Sequence, residues 1–270
     1  MKKFLLFTII LLGLIGCKKE TDYFVKYNFQ YAPDSLNKSN QISEEMILST
    51  NAQGYAFMSN NIFKSDTIGD ITKLLQENKL SFTDINKLNS NDFQNLRLYF
   101  NKDSNHYHIQ SSVDGLIFKF KDEVTPLKWE LLDEVKQVHN YKAKKAKTKA
   151  FGKHWIAWYT EKIPVSYGPY KFQGLPGLIL ELYDEGNNFK FDLVEAKVDT
   201  TNYSIYETAN EVNSKRSEFE DKIKAYKNNP ERISMKTGDD VARDKNLLEQ
   251  RKKQVAKKNN AIEKGLQFNL

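Results

Sequence analysis

The clearest pattern in the chain is an alternation of apolar and polar residues over Tyr23–Tyr31. A period of two places the apolar side chains on one face of an extended strand. Shorter segments of strand character follow at 45–50, 54–58, 97–100, 106–111, 116–120, 127–132, 135–139, 141–147, 153–159, 178–183 and 189–195. Because most of these segments follow one another without helices between them, they predict a mainly β domain with a curved antiparallel sheet or half-barrel.

Helical spacing of apolar residues occurs in other parts of the chain. It predicts a short helical or irregular insertion within 64–95, and two charged C-terminal helices within 207–227 and 239–262. Each C-terminal helix either packs one edge on the sheet or presents its narrow apolar stripe to a partner. The predicted fold class is therefore α+β, with a signal peptide at 1–16, a β domain at 17–206 and a helical region at 207–270.

The first residues have the character of an export signal. Lys2 and Lys3 precede an apolar run at 4–15, which is shorter than the roughly 20 residues that a membrane-spanning helix needs. The run ends in Leu-Ile-Gly before Cys17, a pattern that resembles the bacterial lipobox, and Cys17 is the only cysteine of the chain. We therefore expect lipidation at Cys17, and a lipid-anchored protein of the cell envelope that faces either the periplasm or the cell surface.

Composition narrows the class of protein further. The 270 residues are 40% hydrophobic and 13% aromatic, which is enough apolar chain for a real core and excludes wholesale disorder. A single cysteine excludes an internal disulfide and a zinc site built from several thiolates. The net charge of +6, part of which lies in the predicted signal peptide, is too mild to predict a nucleic-acid partner.

Aromatic residues are concentrated in the segment 151–191, which contains ten of them, about twice the density of the whole chain. Within it, Pro176 presets φ and Gly177 accepts positive φ, which predicts a type II turn before a strand. Five aromatic side chains of this segment are candidates either for the structural core or for an apolar cavity or partner groove. They are Trp155, Trp158, Tyr159, Tyr170 and Phe172.

The same segment carries a resemblance to a known family. The motif consists of Gly174, Leu175, Pro176, Gly177, Leu178 and Ile179, and it is preceded by Ala-Trp-Tyr-Thr at 157–160, Ile-Pro at 163–164 and Gly-Pro-Tyr-Lys-Phe at 168–172. Together with Asn-Ala-Ile-Glu at 260–263, these residues resemble the GLPGLI family, although Ala261 replaces a family proline. The Gly and Cys often found in the family's paired-strand segment are also absent, since Asn140 and Ala143 stand there.

The resemblance implies an exported, envelope-associated, β-rich protein without an established activity, and it implies no catalytic residues and no cofactor. The strand pattern also looks like that of half-barrel lipoprotein carriers, which hold acyl chains in an apolar concavity. This second likeness concerns the fold alone.

Candidate chemistry outside the motif is sparse. His106 and His108 share one strand face and could bind a metal only if His139 or His154 converged on them. Carboxylates near the aromatic segment could form a pair, namely Glu161, Glu181 and Asp184. The chain contains no phosphate-binding loop, nucleophile elbow, dinucleotide fingerprint or His-Glu-x-x-His motif. We therefore expect no metal, no cofactor and no enzymatic activity.

The lysines of 142–153 allow two interpretations. Lys142, Lys144 and Lys147 either line a strand edge or solvent face, or contact anionic lipid headgroups or lipopolysaccharide. The preferred hypothesis for the whole chain is a non-catalytic lipoprotein that binds a hydrophobic or envelope ligand, or a membrane partner. The alternative is a structural or assembly accessory of an outer-membrane transport or secretion complex, and a hydrolase is the third possibility.

Overall fold

The protein folds around one large sheet. The computed structural model describes residues 21–67, 96–113, 116–199, 211–228 and 245–263. The strands are β1 Tyr23–Tyr31, β2 Ile42–Asn51, β3 Gly54–Ser59, β4 Arg97–Asn101, β5 His106–Val113, β6 Leu116–Glu123, β7 Trp129–Val138, β8 Tyr141–Ala150, β9 Lys153–Thr160, β10 Leu178–Asp184, β11 Phe189–Val198 and β12 Glu211–Asn213. The helices are α1 Asn60–Thr67, α2 Arg216–Asn228 and α3 Lys245–Lys257.

Two antiparallel meanders form the sheet. Its spatial order is β12-β6-β5-β4-β3-β2-β1-β11-β10-β9-β8-β7, so strands β1–β6 and β7–β11 join where β1 pairs with β11. The short β12 pairs with β6 in parallel. The sheet is not closed into a barrel. These observations confirm the prediction of a mainly β fold with an open antiparallel sheet.

The core lies on the face that the alternating aromatic residues share. Tyr27, Phe29 and Tyr31 of β1 are all buried. The ring of Phe29 stacks on Tyr31 at a centroid distance of 5.0 Å and on Phe191 of β11 at 4.2 Å. Stacked aromatic pairs add packing energy beyond the burial of their area. The predicted alternation therefore marks the face of β1 that builds the core.

The connection between β9 and β10, residues 161–177, occupies the inner side of the sheet, and we call it the inner loop. Inward-facing tyrosines on separate strands donate hydrogen bonds to its backbone: the Tyr55 hydroxyl to the Tyr170 carbonyl at 2.8 Å, and the Tyr107 hydroxyl to the Lys171 carbonyl at 3.2 Å. From the far end of the sheet, Trp129 Nε1 donates to the Gln173 carbonyl at 2.9 Å. Since β5 and β7 reach the same loop from opposite ends of the sheet, the sheet must curve around it.

Several boundaries differ from the predictions. The two strands predicted at 127–132 and 135–139 form the single strand β7, whose register shifts between Leu131 and Val135, so Asp133 and Glu134 are an irregularity rather than a turn. The helix predicted at 207–227 begins at Arg216, after the strand β12. The helix predicted at 239–262 ends at Lys257 and is followed by an irregular segment. Residues 68–95 of the predicted insertion lie outside the described residues.

Helix α2 packs one edge on the sheet. Its buried residues Phe219 and Ile223 are four positions apart and so lie on one face. The Phe219 ring contacts Phe118 and Phe120 of β6 at centroid distances of 5.6 and 5.1 Å. In the described part of the chain, no helix has the length and apolar character that a membrane crossing requires.

Candidate functional site at the rim of the sheet

The five aromatic residues singled out in the sequence are all buried, but they do not share one surface. Trp155, Tyr159, Tyr170 and Phe172 lie within the core, where Phe172 contacts Trp155 at a centroid distance of 4.6 Å. Trp158 follows Ala157 on β9 and lies beneath the ammonium groups of Lys136 and Lys145. The region that a half-barrel carrier would leave for an acyl chain is thus occupied by Trp155, Tyr159 and the inner loop with Tyr170 and Phe172.

The Gly-Leu-Pro-Gly-Leu-Ile motif closes the inner loop and starts β10. Gly177 has φ +156°, and a Cβ atom there would lie 2.1 Å from the Thr160 carbonyl oxygen. The Gly177 N–H donates to the Leu175 carbonyl at 2.8 Å, while the Leu178 N–H donates to the Ile163 carbonyl at 3.1 Å. The turn is therefore a three-residue turn centred on Pro176, and the predicted type II turn is wrong. The positive φ predicted for Gly177 is confirmed.

The inner loop also delivers a lysine into a buried cluster of charges. Lys171, only 3% exposed, places its Nζ atom 2.6 Å from Asp122 of β6 and 2.7 Å from Glu263. Arg216 of α2 contacts the same two carboxylates through Nη1, at 2.7 and 2.8 Å. The Tyr170 hydroxyl donates to Glu263 at 2.7 Å. We call Asp122, Lys171, Arg216 and Glu263 the rim cluster.

The protonation states in the rim cluster follow from its burial and its pairing. Burial is the strongest single influence on Asp122, but Lys171 and Arg216 together hold the pKa of this carboxyl below its usual value. Burial, followed by the neighbouring Glu263 carboxylate, raises the pKa of Tyr170 well above the ordinary tyrosine value. Asp122 is therefore ionised at neutral pH, and Tyr170 keeps its proton and acts as a hydrogen-bond donor.

Beside the rim cluster lies a pocket of about 700 Å³, which we call the rim pocket. It is partly open to solvent. Its walls combine charged groups with an apolar patch formed by Pro126, Leu127, Ala150 and Phe151. The remaining lining residues are Tyr107, Asp122, Glu123, Thr125, Lys128, Lys149, Lys171, Arg216 and Glu263.

The pocket brings together parts of the chain that are far apart in sequence. Strands β5, β6 and β8, the inner loop, α2 and the C-terminal segment each contribute to it. A volume of this size and a few convergent polar groups are typical of small-molecule sites. This makes the rim pocket the candidate functional site.

The other candidate residues from the sequence do not converge. Among the described residues, no three His, Cys, Asp or Glu side chains are close enough together to hold a metal ion. Glu161 pairs with Lys144, and Glu181 pairs with Lys136. Asp184 is buried and accepts hydrogen bonds from the backbone N–H groups of Asn188 and Phe189, which fixes the turn after β10. Each of these carboxylates therefore has a local partner of its own.

The lysine-rich strand β8 is not an edge strand, because β7 and β9 flank it. The strand-edge interpretation of its lysines is therefore wrong, while the solvent-face interpretation holds for Lys142. Lys142 is exposed, while Lys144 and Lys147 are partly buried. Lys145 pairs with Glu134 at 2.8 Å. Lys149 reaches the rim pocket from the same strand.

The sequence alone does not mark the rim cluster as a site. Lys171 and Glu263 both lie in segments that resemble the GLPGLI family, so two of the four cluster residues belong to that pattern. Asp122 and Arg216 carry no local signal, because each is one charged residue among many in a charged segment. Cys17 and its lipobox lie outside the described residues.

The chain matches one protein family of unknown function. A family model described as a protein of unknown function, Porph_ging, matches residues 152–181, which include β9, the inner loop and the start of β10. No curated protein matches the chain. The matched segment coincides with the part of the sequence in which the aromatic residues and the turn motif are concentrated.

Two solved structures of PNGF-II, in space groups P21 and C2, have a similar fold. Each has a TM-score of 0.51 and 16% sequence identity, over 75% of this chain. The chain covers 33% and 32% of those two chains, so it corresponds to about a third of their length. At this identity the similarity concerns the fold alone.

Proposed function

We propose that this chain is a GLPGLI-family lipoprotein of the Gram-negative envelope, anchored through Cys17, that binds an amphipathic envelope ligand in the rim pocket without catalysing a reaction. The observation that carries the proposal is the composition of the pocket wall, in which Leu127 and Phe151 lie beside Lys171 and Arg216. Such a wall suits a ligand that has both an apolar part and a charged or polar group.

The packing of the inner side of the sheet favours the rim pocket over an acyl-chain cavity. The inner loop places Tyr170 and Phe172 where a half-barrel carrier would hold its lipid, and both side chains are completely buried. Opening that space would expose the stacked rings of the core. A ligand therefore finds room at the rim, where about 700 Å³ exists without any rearrangement.

The electrostatics of the rim cluster favour binding over catalysis. A general base works best when its pKa lies near the working pH, whereas the pKa of Asp122 is lowered from an already acidic value. Glu263 contacts both Lys171 and Arg216, which are fully engaged as ion-pair partners. Groups held in this way position a bound ligand but are poor carriers of protons.

The alternative, a docking accessory of an outer-membrane complex, has less support from the helices. The buried residues of α2, Phe219 and Ile223, pack on the protein's own sheet instead of facing outward. Cross-linking in intact cells that repeatedly captured one membrane protein, together with an empty rim pocket in native mass spectrometry, would favour this alternative.

Binding is tested with the full chain and dodecanoate as the probe, by isothermal titration calorimetry below the micelle concentration. Leu127→Asp removes part of the apolar wall and places a negative charge in the pocket, so we expect dodecanoate binding to be lost. The matched control is Leu36→Asp, because Leu36 is 91% exposed and does not line the pocket. Equal binding by both variants would contradict the proposed site.

The anchor is tested separately with Cys17→Ser. We expect this variant to leave the membrane fraction and to lack the acyl mass on intact-protein mass spectrometry, because the lipobox cysteine carries the acyl chains that hold the protein on the membrane. A Cys17→Ser protein that stayed in the membrane fraction with unchanged processing would contradict the anchor and leave the pocket proposal intact.

A further inference from the structure

Glu263 sits in a ready-made anion site. Three donors of different types converge on its carboxylate: Lys171 Nζ and the Tyr170 hydroxyl at 2.7 Å from Oε2, and Arg216 Nη1 at 2.8 Å from Oε1. Ammonium, guanidinium and phenol donors of this kind recognise carboxylates and phosphates generally. The three donors belong to the inner loop and α2, whereas Glu263 belongs to the segment after α3.

The carboxylate is delivered by a separate segment, residues 258–263, which we call the strap. The strap follows α3 and contains none of the strands β1–β12, but its last residue, Glu263, forms a β-bridge. Asn259 and Asn260 bind it to the segment after β1, where the Asn260 side chain donates to the Ala32 carbonyl at 2.9 Å. Lys153 Nζ donates to the Ala261 carbonyl at 2.7 Å. Ile262 of the strap is 1% exposed and belongs to the hydrophobic core, so one apolar side chain and these hydrogen bonds together hold the strap in place.

The strap lies between two pockets. The rim pocket includes Glu263, and a second pocket of about 460 Å³ includes Asn259, Asn260 and Ala261. Phe151 lines both pockets. Movement of Glu263 out of the rim cluster would uncover the donors that now hold its carboxylate.

The charge around the rim pocket favours an anion once Glu263 has left. Among the described residues, Lys171 would then keep only Asp122 of β6 as an ion-pair partner, and Arg216 would keep Asp122 and Glu220. Lys128 and Lys149 also line the pocket, are exposed, and form no ion pair with any residue in the described ranges. The carboxylates left to oppose these four cations are Asp122 and Glu123 of the pocket wall and Glu220 of α2, which accepts a hydrogen bond from Arg216 Nε at 2.8 Å.

We infer that Glu263 is an internal competitor for the anionic group of the ligand. An amphiphile with a carboxylate or phosphate head displaces Glu263 from Lys171, Arg216 and Tyr170, while its apolar part lies against Leu127 and Phe151. This inference rests on the proposed function. It adds that the ligand is anionic and that the strap inhibits its binding. Occupation of the site by the strap keeps the affinity low until a matching amphiphile is present.

The decisive variant is Glu263→Gln in the full chain, with dodecanoate titrated by calorimetry. Removing the competing charge should raise the affinity about tenfold or more, which is within the usual range of coupling between two sites. The matched control is Glu123→Gln, which removes a carboxylate from the same pocket that pairs with no cation in the described ranges. An equal gain in both variants would show a general charge effect and overturn the competition.

A second variant guards against a folding defect in the first. Asn260→Ala weakens the attachment of the strap without changing any group that lines the rim pocket. We expect a smaller rise in dodecanoate affinity, about two- to fivefold, with Glu263 still in place. An unchanged or lower affinity would overturn the competition.

Hydrogen exchange of the wild-type protein reports the movement directly. Dodecanoate should speed amide exchange in residues 258–263, and dodecyl maltoside, which has an uncharged head, should not. Inorganic phosphate alone separates a free anion from a lipid headgroup. If it bound as tightly as dodecanoate, the amphiphile would be excluded as the preferred ligand.

The outcomes separate this inference from the function on which it rests. If Leu127→Asp abolishes dodecanoate binding while Glu263→Gln and Asn260→Ala leave it unchanged, the competition is wrong and the proposed function stands. If dodecanoate binds neither the wild type nor Glu263→Gln, both are wrong.

Discussion

The inner loop and the rim cluster both bury side chains and both connect distant strands, but they are built in opposite ways. The inner loop is one continuous segment whose rings pack on neighbouring rings, as Phe172 does on Trp155. The rim cluster gathers four charges from four segments, and Lys171 and Glu263 lie 92 residues apart. The apolar packing of the inner loop therefore depends largely on residues of one short segment, whereas the polar site forms only when folding brings four distant segments together.

The largest expected effect concerns the end of the inner loop. Gly177→Ala places a Cβ atom 2.1 Å from the Thr160 carbonyl oxygen, where the neighbour is backbone and cannot rotate away. We expect a loss of more than about 4 kcal/mol in the free energy of unfolding, or no soluble protein. Urea denaturation measures the loss.

Gly174→Ala is the matched control for that change. Gly174 also has a positive φ, +97°, but its nearest neighbour is the Trp129 side chain at 3.9 Å. The strain of the left-handed backbone alone should cost about 1–2 kcal/mol. Equal losses for the two variants would mean that the contact with Thr160 contributes little.

Phe172→Ala should have the next largest effect. The Phe172 ring is fully buried and contacts Trp155, Phe151 and Trp129. A large-to-small change at such a site lowers the free energy of unfolding by about 3–5 kcal/mol. The loss has two parts: the transfer free energy of the removed atoms and the cost of the cavity that they leave. Thermal unfolding should show a much smaller loss for Phe172→Leu, which keeps most of the apolar volume. Similar losses would mean that ring packing is not what holds the loop.

The fold could be predicted from the sequence wherever one residue's neighbours along the chain determine its environment. The alternation over Tyr23–Tyr31 matches the bounds of β1, and the strands predicted at 45–50 and 54–58 lie within β2 and β3. The sequence predicts two strands in place of β7, because the charged residues Asp133 and Glu134 interrupt the apolar pattern. In the structure, the two residues lie at a shift in the register between β7 and β8, and the strand continues past them. Such a shift depends on the partner strand, so it cannot be predicted from the β7 sequence alone.

The site could be predicted much less well. The high aromatic content of 151–191 correctly indicates a segment that contributes to the site. The aromatic rings themselves, however, mostly pack in the core, and it is Lys171 of this segment that lines the rim pocket. Asp122 and Arg216 meet across 94 positions of sequence. No periodicity encodes that meeting, because it depends on the register of β6 and the docking of α2.

The rim cluster should make stability depend on pH in the acid range. Because the folded pKa of Asp122 is lower than its unfolded value, its ionisation adds stability that is fully present above the unfolded pKa of about 3.9. That stability is lost as the pH falls through the lowered folded pKa. Asp122→Asn should cost about 1–3 kcal/mol at pH 7 and reduce the acid dependence.

Denaturation midpoints between pH 3 and pH 7 test this prediction. The wild type should lose more stability than Asp122→Asn as the pH falls below about 4. Parallel curves for the two proteins would show that Asp122 does not titrate differently in the folded and unfolded states.

The smallest effect is expected for a charge pair that water reaches. Asp221 and Lys224 of α2 are 3.1 Å apart, but their side chains are 74% and 69% exposed. Exposed pairs of this kind are screened by solvent and salt, so Asp221→Asn should leave the urea midpoint unchanged within error. If Asp221→Asn were as damaging as Asp122→Asn, the exclusion of water would not be what distinguishes the rim cluster from the rest of the charged surface. Among the described residues, Asp122 also pairs with two cations where Asp221 pairs with one, so the comparison tests burial and multiple pairing together.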